Sequence, residues 1–177
     1  TSGDGEKFYN ISAWKEKGEA EKFLTVFPSS LEYCVLNDQG NPSLTTKWNC
    51  GDLLLNACPN LPQEFKDDVK FVRKMVDTIK VAFNVNPKKI FASGFSNGSV
   101  FVNKLANEAA DIFAAFAGAA GPLFALDSSK PVQPRRIWNT VGTLDDRFTS
   151  LLGAPALPFG GDSILPYLKV LNDKVLA

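Results

Sequence analysis

The sequence predicts an α/β protein with a mainly parallel sheet flanked by helices. Three observations carry this expectation. Short apolar runs rich in strand formers alternate along the chain with amphipathic stretches of helical period. Reading from the start, the order is helix, strand, helix, strand, helix, strand, strand, helix, and strands separated by helices connect most simply as parallel neighbours. Finally, Gly94-Phe95-Ser96-Asn97-Gly98 sits where a strand pattern passes directly into a helical one. The totals fit one domain with its own core: 177 residues, 45% hydrophobic and 21% charged. There is no internal repeat and no second domain, so residues 1–177 read as a single domain.

Residues 6–22 have helical character, with Phe8, Ile11, Ala13 and Trp14 as apolar positions. Residues 23–27, Phe-Leu-Thr-Val-Phe, form a run of strand formers ended by Pro28. Residues 29–62 are rich in Asn, Ser, Gly and Pro; a stretch this long is functional or hides short elements. Residues 63–83 give a clear amphipathic helix, because Phe65, Val69, Val72, Met75, Val76 and Ile79 recur at helical spacing. Asn84-Val85-Asn86-Pro87 breaks it. The next strand is 89–93 and the next helix 97–109, with Val100, Val102, Leu105 and Ala106 facing inward. Residues 113–118 are apolar throughout, as in a strand buried on both faces. Residues 136–141 form another strand, and a last helical pattern runs over 163–176.

Composition excludes several function classes. The formal net charge is zero and no basic run stands out, which argues against nucleic acid or an anionic membrane surface as partner. The longest apolar stretch, 113–122, is too short to cross a bilayer. Cys34, Cys50 and Cys58 form no Cys-x-x-Cys pair, and with no histidine in the chain they make a poor zinc set. They are either three thiols or a disulfide in a secreted protein, with Cys50–Cys58 the favoured pair and the third cysteine left for a partner elsewhere. No metal and no cofactor is expected.

The chemistry centres on Ser96. A Gly-x-Ser-x-Gly turn between strand and helix pushes a serine hydroxyl above the sheet edge. Gly94 and Gly98 are expected where side chains would collide with a neighbouring strand or helix. The helix starting after Ser96 aims its first amides at the reacting centre, so the Asn97 N–H is a candidate oxyanion donor. Ser-Asn-Gly is also ordinary loop chemistry, and the motif by itself does not separate the two. Such a serine normally hands its proton to a histidine, and this chain contains none.

Residues 67–99, from Asp67-Asp68-Val69 through Asn84-Val85-Asn86-Pro87-Lys88-Lys89 to Gly94-Phe95-Ser96-Asn97-Gly98-Ser99, resemble the core of the polyhydroxybutyrate depolymerase/feruloyl esterase-like group of α/β-hydrolases. Residues 112–121 are similar to that family's next strand, residues 23–30 to its early strand end, and Trp48-Asn49 to its Trp-Asn element. Ser99 departs mildly from the usual glycine, and the likeness weakens after Asp146. The resemblance implies an α/β-hydrolase-like sheet and a triad in the order Ser, Asp, His. Ser96 matches the nucleophile, and Asp145 falls on the acid position in the turn after strand 136–141, with Asp146 the weaker choice. Read without the family, residues 142–146 are simply a polar turn.

In the family the histidine comes later, and an early strand is followed by a His-Gly turn whose backbone helps to form the oxyanion hole. The resemblance therefore implies that this is an internal segment. The base would lie outside these residues, and the second oxyanion amide would come from near Thr1 or Ser2. A strand would also be absent between 23–27 and 89–93, to be filled by segments of the same parent protein. The implied substrates are esters of hydroxyalkanoate oligomers or feruloyl and acetyl esters of plant polysaccharide, and the implied location is secreted or periplasmic. Trp48 would line the substrate pocket; packing in the core is the alternative. Asp67 and Asp68 suit the first turn of the long helix better than a metal site. Two other functions fit the residues: a peptidase of the prolyl oligopeptidase type, and a non-catalytic α/β binding domain.

Overall fold

The computed structural model describes residues 3–37, 39–121 and 133–146. The helical pattern at 163–176 lies outside them. The elements in order are α1 (Gly5–Ile11), α2 (Trp14–Glu21), β1 (Glu32–Leu36), β2 (Pro42–Thr46), α3 (Gly51–Asn56), α4 (Asp68–Ala82), β3 (Phe91–Phe95), α5 (Asn97–Glu108), β4 (Ala115–Ala119) and β5 (Arg136–Thr140). Strands β3, β4 and β5 form a parallel sheet in that order, which places the protein in the α/β class. The register aligns Phe95, Ala119 and Thr140, so β3 and β5 end at the same edge, one strand apart.

The expected helix over 6–22 is two helices. Asp4 caps α1 by accepting the Lys7 N–H at 3.0 Å, and Ala13 in the left-handed region (φ 56°) breaks the run before α2. Residues 23–27 are not a strand. They pair with no described strand, and their aromatic side chains pack on the helices instead. Phe27 meets Tyr9 edge-on at 5.3 Å, and Phe23 meets Trp14 at 6.3 Å. Among the described residues this run has no ladder partner, and local β propensity alone does not make a strand. The edge of β3 away from β4 likewise carries no strand among the described residues.

The polar stretch after Pro28 holds an antiparallel hairpin, β1–β2, with Tyr33 opposite Thr45. The Asn37 carboxamide closes its turn by accepting the Gln39 and Asn41 amides, and Gly40 takes the positive φ (77°) that the turn needs. The disulfide is Cys34–Cys58, with Cα atoms 5.5 Å apart, not Cys50–Cys58. Helix α3 explains the difference. It occupies the residues between Cys50 and Cys58 and delivers Cys58 to β1, where its N–H donates to the Cys34 carbonyl at 3.1 Å. Cys50 instead points into the core, its thiol donating to the Trp48 carbonyl at 3.4 Å.

Helix α4 starts five residues later than the spacing predicts. Asp67 is its cap, accepting the Lys70 N–H at 2.9 Å. Its buried stripe of Val69, Val72 and Val76 packs with Val100, Phe101, Val102 and Leu105 of α5, and with Phe116 of β4. Arg73 clamps Asp111 through two hydrogen bonds of 2.8 and 2.6 Å, tying α4 to the end of α5. Strand β4 is buried on alternate residues rather than throughout. Phe116 and Gly118 face the helices, while Ala115, Ala117 and Ala119 are half-buried. On that second face Phe91 is 65% exposed and Trp138 73%.

Candidate functional site

Ser96 follows the last residue of β3 and precedes the first residue of α5. Its backbone has φ 56° and ψ −123°, a region that only glycine visits readily. The turn is held on both sides. The Ser96 N–H donates to the Ala119 carbonyl at 2.8 Å, continuing the sheet ladder, and the Ser96 carbonyl accepts from Ser99 and Val100 at 2.8 and 3.1 Å, opening the helix. These bonds keep a residue where its own backbone preference would not. The side chain is half-buried, at the carboxyl edge of the parallel strands.

Gly94 is required by the turn. A Cβ there would lie 2.2 Å from the Gly98 carbonyl oxygen and 2.8 Å from the Ser99 nitrogen, backbone atoms that cannot move aside. Gly121 is constrained in the same way, its Cβ position lying 2.5 Å from the Ser96 carbonyl oxygen. Gly98 differs from expectation. Nothing lies within 4 Å of where its Cβ would be, so no described neighbour excludes a side chain there.

Asn97, the first residue of α5, is buried, and its side chain is engaged at both ends. Oδ1 accepts the Trp48 backbone N–H at 2.9 Å, and Nδ2 donates to the Cys50 sulfur at 3.4 Å. Trp48 is 6% exposed. Its indole lies flat on Phe101, with ring centroids 4.4 Å apart and planes within 2°. Trp48 belongs to the main core cluster, the packing that the alternative reading expects.

Asp145 sits in the turn after β5, where its N–H donates to the Gly142 carbonyl at 3.2 Å. Its side chain is half-buried and that of Asp146 is exposed. Ser96 and Asp145 therefore follow strands that end together at one sheet edge, with β4 between them. Two strand spacings are about 9–10 Å. Thr1 and Ser2 lie outside the described residues. A recess of about 210 Å³ opens on the sheet face over Ser93, Ala117, Ala119, Trp138 and Thr140, and Ser96 is not part of its wall. Among the described residues no group of three or more Cys, Asp and Glu could hold a metal ion, and no helix is long and apolar enough to cross a membrane.

One buried carboxylate lay outside the sequence reading as anything but a cap. Asp68 is 5% exposed and accepts the Asn49 N–H at 2.7 Å and the Ser30 hydroxyl at 3.2 Å. Burial raises its pKa; the bonds from Asn49 and Ser30 and the charge of Lys104 pull the other way. Sequence spacing could not reveal this role, because Ser30 and Asn49 come from distant stretches.

Ser96 is thus a half-buried serine held in a strained strand-to-helix turn at the edge of a parallel sheet. The similar proteins are esterases by name. A bifunctional acetylxylan esterase/xylanase of Neocallimastix patriciarum is 26% identical over 133 residues, covering 75% of this chain and 16% of the relative. Feruloyl esterase B of Piromyces equi is 35% identical over 103 residues, covering 56% of the chain and 18% of the relative. An acetylxylan esterase of Coprinopsis cinerea is 30% identical over 110 residues, 59% of the chain and 28% of the relative. The chain thus spans less than a third of the length of each of these relatives. No family model matches, and no solved structure matches.

Proposed function

We propose that this chain carries the nucleophile region of a serine esterase that cleaves carboxylic esters, with acetyl or feruloyl esters of plant polysaccharide favoured over hydroxyalkanoate oligomers. The observation that carries the proposal is the backbone of Ser96: a non-glycine residue at φ 56° and ψ −123° between β3 and α5. Such strain persists only where surrounding contacts impose it, and it concentrates at functional sites. The names of the relatives supply the substrate class.

In this mechanism the Ser96 hydroxyl attacks the ester carbonyl and gives up its proton. The tetrahedral oxyanion accepts the Asn97 N–H and a second amide from the segment of Thr1 and Ser2. Asp145 orients the imidazole that takes the proton and later returns it to the leaving alcohol. No histidine occurs among the 177 residues, so the imidazole comes from segments of the parent protein beyond them. The nucleophile, the oxyanion donors and Asp145 are parts of the proposal. So is a secreted or periplasmic location, which the Cys34–Cys58 bridge supports.

The test is reaction with a fluorophosphonate probe, read by mass spectrometry. Labelling at Ser96, lost in Ser96→Ala, supports a catalytic serine. The 177-residue chain by itself is expected to turn over nitrophenyl esters poorly, because loss of a triad member costs on the order of a million-fold. Ordinary turnover by this chain, abolished by Ser96→Ala, would mean that another side chain serves as base. The absence of histidine also favours a second reading, a non-catalytic α/β binding domain. A Ser96 that stays inert to the probe even with a histidine-bearing partner segment present would select it. Cleavage of peptide amides in preference to esters would select the prolyl oligopeptidase-type alternative.

A further inference from the structure

We propose that the side chain of Asn97 is a positioning residue: it fastens the elbow to a rigid strut, residues 46–49, and so fixes the amide that stabilises the oxyanion. The inference rests on Ser96 being the nucleophile and concerns how its neighbouring donor is held.

The strut is fastened at each of its residues. The Thr46 carbonyl accepts the Gly3 N–H at 2.8 Å, and the Lys47 carbonyl accepts the Ser30 hydroxyl at 2.6 Å. The Trp48 N–H goes to Asn97 Oδ1 at 2.9 Å, and the Asn49 N–H goes to Asp68 at 2.7 Å. The Asn49 carbonyl accepts Lys104 Nζ at 3.1 Å. Helix α5 therefore grips the strut at two points, Asn97 and Lys104, about two turns apart. Two attachments along one helix prevent the strut from pivoting about either. The indole of Trp48, flat on Phe101 of the same helix, is a third attachment.

The opposite side of the strut meets the segment that precedes α1. Gly3 fits against Trp48 so closely that a Cβ would lie 3.0 Å from the Trp48 nitrogen, and the Gly3 carbonyl accepts the Ser30 N–H at 2.7 Å. One short segment thus holds the elbow on one side and the residue following Thr1-Ser2 on the other. These are the two places from which the oxyanion amides are proposed to come. Gly3 and Asn97 are both hydrogen-bonded to that one segment. Donors must sit 2.7–3.1 Å from the developing oxyanion, and a 1 Å misplacement costs on the order of a hundredfold. A carboxamide satisfied at both ends cannot rotate, and α5 offers no side-chain cap from Ser96 to hold its first turn otherwise.

The experiment compares Asn97→Ala with the unaltered 177-residue chain, with imidazole added as soluble base and a fluorophosphonate as probe. In the labelling step a Ser96 Oγ–P bond forms, fluoride leaves, and imidazole takes the hydroxyl proton. Asn97→Ala retains its backbone N–H. It is expected to slow labelling at saturating probe by about 10- to 100-fold while leaving the half-saturating probe concentration within about twofold. Amide hydrogen exchange at residues 48 and 97 should quicken in the same variant. Val76→Ala, a core truncation remote in role, serves as the stability control and should leave the labelling rate within about twofold. Should Asn97→Ala not fold, Lys104→Met releases the second grip, and a slowing of about threefold or more is expected. A folded variant that labels at the unaltered rate, or that leaves exchange at residues 48 and 97 unchanged, overturns the proposal. A starting protein whose Ser96 never reacts, even with a histidine-bearing partner segment present, sinks the esterase reading instead, and the exchange comparison then decides the role of Asn97 alone.

Discussion

Gly94 and Gly98 flank the same serine, and the structure demands opposite responses from them. A methyl group at Gly94 would lie 2.2 Å from the Gly98 carbonyl oxygen and 2.3 Å from its carbon. Contact distances between carbon and such atoms exceed 3 Å, so Gly94→Ala must push the β3 end and the start of α5 apart by about an ångström. That displacement strains the ladder bond from Ser96 to Ala119 and the first helical bonds from Ser99 and Val100. Overpacking against side chains costs about 1–3 kcal/mol. Against fixed backbone the upper end applies, so a loss of about 3 kcal/mol is expected. At Gly98 no atom lies within 4 Å of the Cβ position, and the residue is the second of α5. There alanine restricts the unfolded chain and favours the helix, a gain of about 0.5–1 kcal/mol. With a urea slope of about 2 kcal/mol/M, the midpoint should fall by about 1.5 M in Gly94→Ala and rise by about 0.3–0.5 M in Gly98→Ala. Chemical unfolding followed by tryptophan fluorescence reads both. Equal shifts in the two variants, or a tolerated Gly94→Ala, would refute the close approach of Gly94 to the helix and with it the geometry of the turn.

Three further outcomes are expected. Ser96→Gly should be more stable than Ser96→Ala by about 1–2 kcal/mol in urea unfolding, because only glycine relieves the strain at φ 56°; equal stabilities would mean the turn is unstrained. Peptide mapping should find Cys34 linked to Cys58, across a sequence separation of 24, and the double variant Cys34→Ala/Cys58→Ala should lose at most about 3.5 kcal/mol; a Cys50–Cys58 peptide would contradict the hairpin–α3 arrangement. Because burial raises the Asp68 pKa, the folded state takes up a proton before the unfolded chain does. Stability from this group is therefore complete below the unfolded carboxyl value and falls as pH rises through the raised folded value. Asp68→Asn should remove that slope, and a slope of opposite sign in the unaltered chain would show that the hydrogen bonds to Asp68 outweigh its desolvation.

Where periodicity reports burial directly, the chain could be read in advance. Helices α4 and α5 and strands β3, β4 and β5 all fall within a few residues of their predicted places, because valines at helical spacing and apolar runs between breakers follow from which side faces the core. The strand-to-helix turn at Ser96 was legible for the same reason. Hairpin β1–β2 was not. Its second strand, Pro-Ser-Leu-Thr-Thr, is mostly polar and exposed, and it exists because β1 offers it hydrogen bonds. Residues 23–27 show the converse: five strand formers pair with no described strand. A strand is a relation between two segments, and one segment's composition does not contain it.

The sequence by itself determined the α/β class, the amphipathic helices and the placing of a serine between Gly94 and Gly98, since each depends on the order of residues along one stretch. Tertiary structure decided everything that needs two distant stretches to meet. It paired Cys34 with Cys58 by interposing α3, and it stacked Trp48 on Phe101. It also buried Asp68 beneath Ser30 and Asn49, and it brought the Trp48 amide to Asn97. The physical reason is common to these cases: covalent order sets local backbone preference and burial pattern, whereas cross-links, buried polar bonds and stacked rings depend on distances that exist only after the elements have packed.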